Sequence, residues 1–270
     1  MSINVWLNKW GEQMKGLIIK DMMCLRKQRV IFIYTVVAVI VLSVMFVLSA
    51  RLGNIALGNR EMIAENQVSE VDVKNLSTMA LILFMVIPIA LVGDVSTIFL
   101  ADGKAGFFNV SSTFPLSIAK RVAAKYITVL IMFGIGVAID LLISFVLSLI
   151  TDIISFADFF GIIISTASCM SIYGAITIML CFLFGYGKES YAQICTILVM
   201  ILSVVAVNFG KIKNIFISIS AGDDSSIVTG NNFIDFLKNK YYILLFVAIM
   251  IMSFSYLASV NIAKRKRGIV

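Results

Sequence analysis

The stretch VAAKYITVLIMFGIGVAIDLLISFVLSLI, residues Val122–Ile150, decides the fold class of this chain. It runs for 29 residues with two charged side chains, Lys125 and Asp140, whereas about 20 apolar residues suffice to cross a ~30 Å hydrocarbon core as a helix. Its apolar residues are continuous and do not alternate at every second position, which favours a helix over a barrel strand. The stretch therefore predicts a transmembrane helix that either tilts or begins in the interface near Lys125 and Tyr126.

The composition of the whole chain supports the same interpretation. The 270 residues are 60% hydrophobic and 14% charged, against roughly 45–50% apolar and about 25% charged in soluble domains. A soluble fold of this length cannot hide that much apolar surface, and in lipid only helices and closed barrels satisfy every backbone polar group. The sequence predicts an all-α membrane protein, a single transmembrane domain over residues 1–270, with six spans at about 30–50, 79–100, 122–150, 159–184, 191–209 and 241–262.

Lysine and arginine predict the orientation, because short cytoplasmic loops carry their excess. They are concentrated in residues 9–29, 104–125 and 264–267, which share one side of a six-span topology. The segment 210–240 breaks this pattern, since it places four lysines on the opposite side. Three segments against one predict a multi-pass protein of the cell membrane with both termini in the cytoplasm. The net charge of +7 then reflects topology and attraction to the lipid bilayer, and no nucleic-acid partner is expected.

Residues 5–29 predict an amphipathic helix that lies in the cytoplasmic interface before the first span. Apolar residues recur there at helical spacing, and polar residues occupy much of the rest. Trp6 and Trp10 are the expected interface anchors, because tryptophan suits the headgroup level of a bilayer. The alternative is a soluble helix packed on a partner.

Several classes of chemistry are excluded or disfavoured by what the sequence lacks. Glycines at positions 53 and 58 have the spacing of a phosphate-binding loop, but Asn59 stands where that loop needs lysine. The chain has no histidine and four cysteines without metal-site spacing. No catalytic pair of side chains lies at one membrane depth. We therefore expect no enzyme activity, no metal and no cofactor in this chain.

Asp140 is the one acid well inside a predicted span. A carboxylate at the bilayer centre costs on the order of 2.5–3.5 kcal/mol on insertion scales. It is expected to face a cavity, another helix or a dimer interface, or to be protonated. Either it contacts substrate or gates the path, or it makes an interhelical hydrogen bond. The nearby Gly134, Gly136 and Ser144 suit close helix contact.

The segment between the second and third spans has the composition of a docking surface for a soluble partner. It mixes aromatics, hydroxyls and both signs of charge over residues 94–126. Thr113 or Ser112 can cap a helix that Pro115 starts, since proline suits the first helical position. Residues 101–121 are the predicted cytoplasmic coupling segment, with a plain interfacial loop as the alternative.

The order of these motifs resembles a known family. KGLIIKD (Lys15–Asp21) precedes the first span, Asp94 follows the second, TFPLSIAKRVAAKY (Thr113–Tyr126) leads into the third, and FGYGKES (Phe184–Ser190) joins the fourth to the fifth. Together they resemble the small six-span permeases of type-two ATP-binding-cassette exporters, including those of lantibiotic and phenol-soluble-modulin export systems in Gram-positive bacteria. The resemblance covers essentially the whole chain. The segment 94–108 is poorer in acids and tryptophan than the family pattern.

The resemblance implies a permease that exports amphipathic peptides or other hydrophobic compounds. It implies two copies of a cytoplasmic ATP-binding-cassette ATPase, which bind ATP and Mg, and a second permease chain in a homodimer or heterodimer. It places an extracellular gate or re-entrant segment at 210–240. The residues implied in ATPase coupling are Asp94, Gly103, Lys104, Phe107, Phe108, Thr113, Pro115, Tyr186, Lys188 and Glu189.

Two other functions stay open on the residues alone. A self-contained secondary transporter or channel would need charged residues at mid-membrane in several spans or broken helices, and Asp140 and Pro88 are the clear instances here. A non-transport membrane protein, such as an immunity or anchor protein, would need no docking segment.

Overall fold

A computed structural model describes residues 3–52, 81–92, 94–105, 116–150, 155–185, 187–203 and 237–267 of the chain. The regular secondary structure within these ranges is helical, which confirms the predicted all-α class for this part of the molecule. The predicted segment 210–240 lies almost wholly outside the described residues.

Eight helices of seven residues or more lie in the described ranges. Leu25, a single turn residue, separates α1 from α2. In chain order they are α1 Ile3–Cys24, α2 Arg26–Leu52, α3 Val86–Val92, α4 Asp94–Lys104, α5 Ile118–Ile150, α6 Phe156–Phe184, α7 Glu189–Ser203 and α8 Tyr241–Arg267.

Four segments of the described chain are long and apolar enough to cross a bilayer. They are Leu81–Lys104, Ile118–Ile150, Phe156–Phe184 and Tyr241–Lys266. Two shorter apolar helical stretches are also described: Val30–Met45 lies within the predicted first span, and Glu189–Ser203 overlaps the predicted fifth span. The structure thus supports a multi-pass membrane protein, and the count of six spans stays a prediction.

The helices extend past the predicted spans at the segment 101–121. α4 continues to Lys104, and α5 begins at Ile118, four residues before the predicted third span. Ser117 helps to start α5, because its hydroxyl accepts a hydrogen bond from the backbone N–H of Lys120 at 3.4 Å. Residues 26–29, predicted to belong to the interfacial helix, are the first turn of α2.

α6 is the central helix, packed most extensively against α8 and α5. Buried side chains form two separate cores. The basic-end core lies at the end of the bundle that carries Lys20, Lys125 and Lys266, and it comprises Leu25, Val95, Ile98, Phe99, Val122, Tyr126, Val129, Phe133, Ala175, Ile178, Cys181, Ala192 and Val260. The distal core comprises Leu81, Phe84, Leu147, Phe159, Ile162, Ile163 and Leu237.

The outer faces of the helices are apolar as well. Leu142, Leu149 and Phe254 are 68–73% exposed, and each belongs to a helix long enough to cross a bilayer. Such a surface suits a hydrocarbon solvent, because a water-soluble monomer rarely exposes large continuous apolar patches.

Glycines make the connection between α6 and α7 possible. Gly185 ends α6 with φ +86°, and its N–H donates to the Cys181 carbonyl at 3.0 Å. Gly187 follows with φ +81°. Because L residues rarely adopt these values, this pair of glycines fixes the short turn that presents Lys188 and Glu189 at the basic end.

Replacing Gly161 with alanine is expected to destabilise the distal half of the bundle. A Cβ at this position would lie 2.5 Å from the Lys238 carbonyl oxygen, so the backbone of one element must shift, and such overpacking costs about 1–3 kcal/mol. Thermal unfolding in detergent micelles measures the effect. Gly134→Ala is the matched control, because nothing lies within 4 Å of its Cβ and alanine favours the helix. Equal melting temperatures for the two variants would contradict the observed close approach.

Candidate coupling site

Four charged side chains meet inside the basic end, and we call them the charge cluster: Lys20, Asp21, Asp102 and Lys125. The Lys20 ammonium lies 2.8 Å from Asp21 Oδ1 and 2.5 Å from Asp102 Oδ1. The Lys125 ammonium lies 3.1 Å from Asp21 Oδ1 and also contacts Asp102 Oδ2. Each carboxylate therefore touches both ammonium groups, and the cluster has no net charge.

The cluster joins three helices that are far apart in the sequence. Lys20 and Asp21 belong to α1, Asp102 to the last turn of α4, and Lys125 to the second turn of α5. Asp21, Asp102 and Lys125 are buried, and the side chain of Lys20 is about one quarter exposed. The N-terminal helix is thus tied by ion pairs to the ends of both neighbouring spans.

Because the cluster is largely buried, each of its charges needs an opposite charge beside it. Removing a carboxylate or ammonium from water costs several kcal/mol per ion, so a buried charge persists when opposite charges compensate it. A cation–π interaction further stabilises the Lys125 ammonium, which lies 5.2 Å from the centre of the Phe99 ring. Loss of any one of the four charges would leave an opposite charge in the cluster without full compensation.

Lys20 is protonated at neutral pH and supplies one of the two positive charges of the cluster. Burial lowers the pKa of this ammonium, but the Asp21 and Asp102 carboxylates outweigh burial and raise the pKa above its ordinary value. A raised lysine pKa contributes stability that is complete below pH 10.5 and is lost only when the pH rises through the pKa of the folded state. Lys20 therefore stays protonated across the physiological range of pH.

Hydrogen bonds from hydroxyl groups connect α5 to α8, and α8 to α6. The Tyr126 hydroxyl lies 2.6 Å from Ser255 Oγ and 3.0 Å from Ser259 Oγ, both on α8. Ser255 in turn donates to the Ala175 carbonyl of α6 at 2.6 Å. Because Tyr126 follows Lys125 directly, α5 is held by ion pairs on one side and by hydrogen bonds on the other.

α7 is attached to the same end of the bundle. Gln193 donates to Ser96 Oγ of α4 at 2.5 Å, and Thr177 of α6 donates to Thr196 at 3.1 Å. Ala192 belongs to the basic-end core beside Phe99. The start of α7 thus packs beside the end of the second predicted span.

Some of the predicted coupling residues lie on this surface. Gly103 and Lys104 form the last turn of α4, and Lys104 is exposed. Lys188 is exposed before α7, whereas Glu189 is buried and accepts a hydrogen bond from the Gly187 N–H at 2.9 Å. This hydrogen bond stabilises the turn that precedes α7, and the roles of Gly103, Lys104, Lys188 and Glu189 in ATPase coupling stay predictions.

The other predicted residues are described partly or not at all. Asp94 begins α4, and Trp6 and Trp10 belong to α1, but the surroundings of these side chains lie outside the described residues. Phe107, Phe108, Thr113, Pro115 and Tyr186 lie outside them altogether. Their roles in ATPase coupling stay predictions.

Asp140 is completely buried in the middle of α5. Neither of its carboxylate oxygens has a hydrogen-bond partner among the described residues. The nearby Ser144 hydroxyl donates to the Leu141 carbonyl of its own helix at 3.1 Å. The expected interhelical hydrogen bond of Asp140 therefore finds no donor in this part of the molecule.

The sequence-based prediction missed the pairing in the charge cluster, although it quoted Asp21 and Lys125 within motifs. Asp102 was not singled out at all. A signal was present, because each of these three residues occupies the apolar stripe of its helix. Asp21 follows Met14 by seven residues, or about two helical turns, and both are buried on one face of α1.

Comparison with known proteins agrees with the observed architecture. The family model described as "ABC-2 family transporter protein" matches residues 71–264, more than two thirds of the chain. No curated protein and no solved structure shows significant similarity to it. The matched range begins before α3 and ends within α8, so it contains Asp102, Lys125 and nearly all of the four segments that, among the described residues, are long and apolar enough to cross a membrane. The chain therefore belongs to the ABC-2 transporter family, whose members are multi-pass proteins of the cell membrane.

Proposed function

We propose that this chain is the membrane-spanning permease subunit of an ATP-driven exporter. A separate cytoplasmic ATP-binding-cassette ATPase, in two copies, binds ATP and Mg and hydrolyses the nucleotide. A second permease chain, identical or related, completes the transporter. The cargo is an amphipathic peptide or another hydrophobic compound, and the chain itself has no ATPase activity.

The charge cluster is the observation that carries this proposal. Family membership supports a permease that works with an ATPase, and such a permease needs a rigid connection between its docking surface and its spans. Asp102 belongs to the last turn of α4, at the start of the predicted coupling segment 101–121, and Lys125 belongs to the α5 helix. The ion pair between their side chains connects the two elements directly.

The proposed mechanism is a displacement passed from α4 to α5. ATP-driven closure of the partner ATPase moves the coupling segment and the end of α4. Because Asp102 is bound to both Lys20 and Lys125, α1 and the start of α5 must follow, or the buried ion pairs must break at a cost of several kcal/mol. The hydroxyls of Tyr126, Ser255 and Ser259 pass the motion to α8.

Co-purification tests this function directly. The tagged full chain, solubilised from its native host, is expected to retain an ATP-binding-cassette ATPase. Lys104→Glu and Lys188→Glu should together reduce the recovered ATPase at least tenfold, because both side chains are exposed at the basic end and reversed charge weakens a complementary interface. Lys240→Glu is the matched control, since Lys240 is exposed near the Asp158–Lys238 ion pair at the distal end.

Two outcomes would contradict the proposal. One is a chain that never retains an ATPase and supports transport that ATP depletion leaves unaffected, as a secondary transporter would. The other is a chain that retains no ATPase and supports no transport, as an immunity or anchor protein would.

A further inference from the structure

A cavity of about 380 Å³ lies between α2 and α5, away from the charge cluster. Ile40, Val44 and Val47 form one wall, and Ile143, Val146 and other aliphatic side chains of α5 form the opposite wall. The volume falls within the range of about 300–1,000 Å³ that is typical of small-molecule sites. Several lining side chains are also exposed on the outer surface, Val44 and Val146 by about half, so the cavity opens toward the surrounding lipid.

One polar atom in this lining has no partner in the described part of the molecule. Ser43 is 6% exposed, and its hydroxyl makes no hydrogen bond there. In the same helix Thr35 donates to the Ile31 carbonyl at 3.0 Å, so hydroxyl bonding to the helix backbone is available in α2 but is not used by Ser43. A buried unpaired hydroxyl is costly, and a bound ligand with a hydrogen-bonding atom would remove that cost.

The depth of Ser43 limits the nature of such a ligand. It lies 13 residues beyond Val30, the predicted start of the first span, which corresponds to about 20 Å along a helix. It is therefore well inside a ~30 Å hydrocarbon core. Ser43 lies about 10 Å from the far edge of that core. The headgroup and ester carbonyls of a bilayer lipid lie at the interface and do not reach this depth, so the ligand must carry its polar atom into the hydrocarbon core.

The walls limit the ligand further. Among the described residues, the lining consists of isoleucine, leucine and valine besides Ser43, and none of these carries an aromatic ring or a charge. A planar aromatic ligand would find no ring on which to stack, and an ionised ligand would find no counter-ion in a site of low dielectric constant. A flexible aliphatic chain fits this lining.

We propose that the α2–α5 cavity binds the aliphatic chain of an uncharged amphiphile whose hydroxyl or carbonyl group hydrogen-bonds Ser43. This proposal rests on the proposed export function, because it assigns the cavity to the exported compound and narrows the class of that compound. The ligand enters laterally from the bilayer, between the exposed edges of α2 and α5.

Photolabelling of the full chain tests the proposal. The chain is reconstituted in phosphatidylcholine nanodiscs without ATP or any ATPase, and the probe is hexadecanamide with a diazirine in its chain. Saturable labelling is expected within residues 40–47 and 142–150, competed by unlabelled hexadecanamide. Val146→Trp should reduce this labelling at least tenfold by filling the cavity. Ser43→Ala should weaken apparent affinity about fivefold, the loss expected for one hydrogen bond.

Leu149→Trp is the matched control, since Leu149 is on the same helix, 70% exposed and outside the lining. Labelling that persists in Val146→Trp would overturn the site. A diazirine phosphatidylcholine that labels the same peptides as strongly, with no effect of Ser43→Ala, would assign the cavity to lipid tails and overturn the ligand class. Because no ATPase is present, these results are independent of the co-purification that tests the export function.

Discussion

Replacing Lys125 with methionine is expected to lower the free energy of unfolding by about 3–5 kcal/mol, because the change leaves one buried carboxylate without a compensating charge. Asp21 and Asp102 would then share the single ammonium of Lys20. Methionine keeps most of the length and apolar volume of the lysine stem, so the loss measures charge and not packing. Equilibrium unfolding in mixed detergent micelles, followed by circular dichroism, gives the free energy.

A second substitution separates charge balance from a simple loss of contacts. In Lys125→Met with Asp102→Asn the remaining pair, Lys20 and Asp21, is neutral, so the double variant should recover at least half of the stability that Lys125→Met loses. Lys264→Met, at an exposed position of α8, should change the free energy by less than about 0.5 kcal/mol. Additive losses in the double variant would show that the four side chains do not form one cluster.

Asp140→Leu is expected to raise the free energy of unfolding by about 1–3 kcal/mol. The carboxyl group is buried in α5 without a hydrogen-bond partner among the described residues, and burial of an unpaired polar group costs about this much in proteins. Leucine fills a similar space without that cost. Asp140→Asn should leave stability nearly unchanged, because the amide is equally polar and equally unpaired. The same unfolding titration measures both variants.

Export by the same variants gives the second half of the test. A group that lowers stability in a buried position is typical of a functional site, so we expect both Asp140 variants to export less than the unmodified chain. Ser144→Ala is the control, since its hydroxyl bonds within its own helix and its loss should affect neither measurement. If Asp140→Leu destabilises the chain and leaves export intact, the carboxyl group has a packing role.

The helical class and the approximate positions of the long helices could be predicted from the sequence, because continuous apolar runs report directly on the solvent around a helix. Val122–Ile150 illustrates this, since α5 ends at the residue where the run ends. The family was accessible for a similar reason. The order of apolar runs and short polar segments is a property of the whole chain and survives the looseness of any single motif.

The charge cluster could not be predicted in the same way. Asp21 and Lys125 are 104 positions apart, and the sequence shows for each only that a charge falls on an apolar stripe. That pattern indicates a buried partner but does not identify it, because the choice depends on which helices are neighbours. The cavity beside Ser43 is harder to predict from the sequence than the charge cluster, because it arises from the packing of two apolar helix faces that have no distinguishing residues.

The short connection at Leu25 has a consequence for the coupling between the charge cluster and the α2–α5 cavity. A single buried residue, Leu25, separates α1 from α2. Because no flexible linker lies between the two helices, a displacement of α1 also displaces α2. The charge cluster holds one of these helices and the cavity wall is part of the other. Coupled binding equilibria are reciprocal. If the partner ATPase changes the affinity of the chain for a molecule bound at Ser43, that molecule changes the affinity of the chain for the ATPase by the same factor.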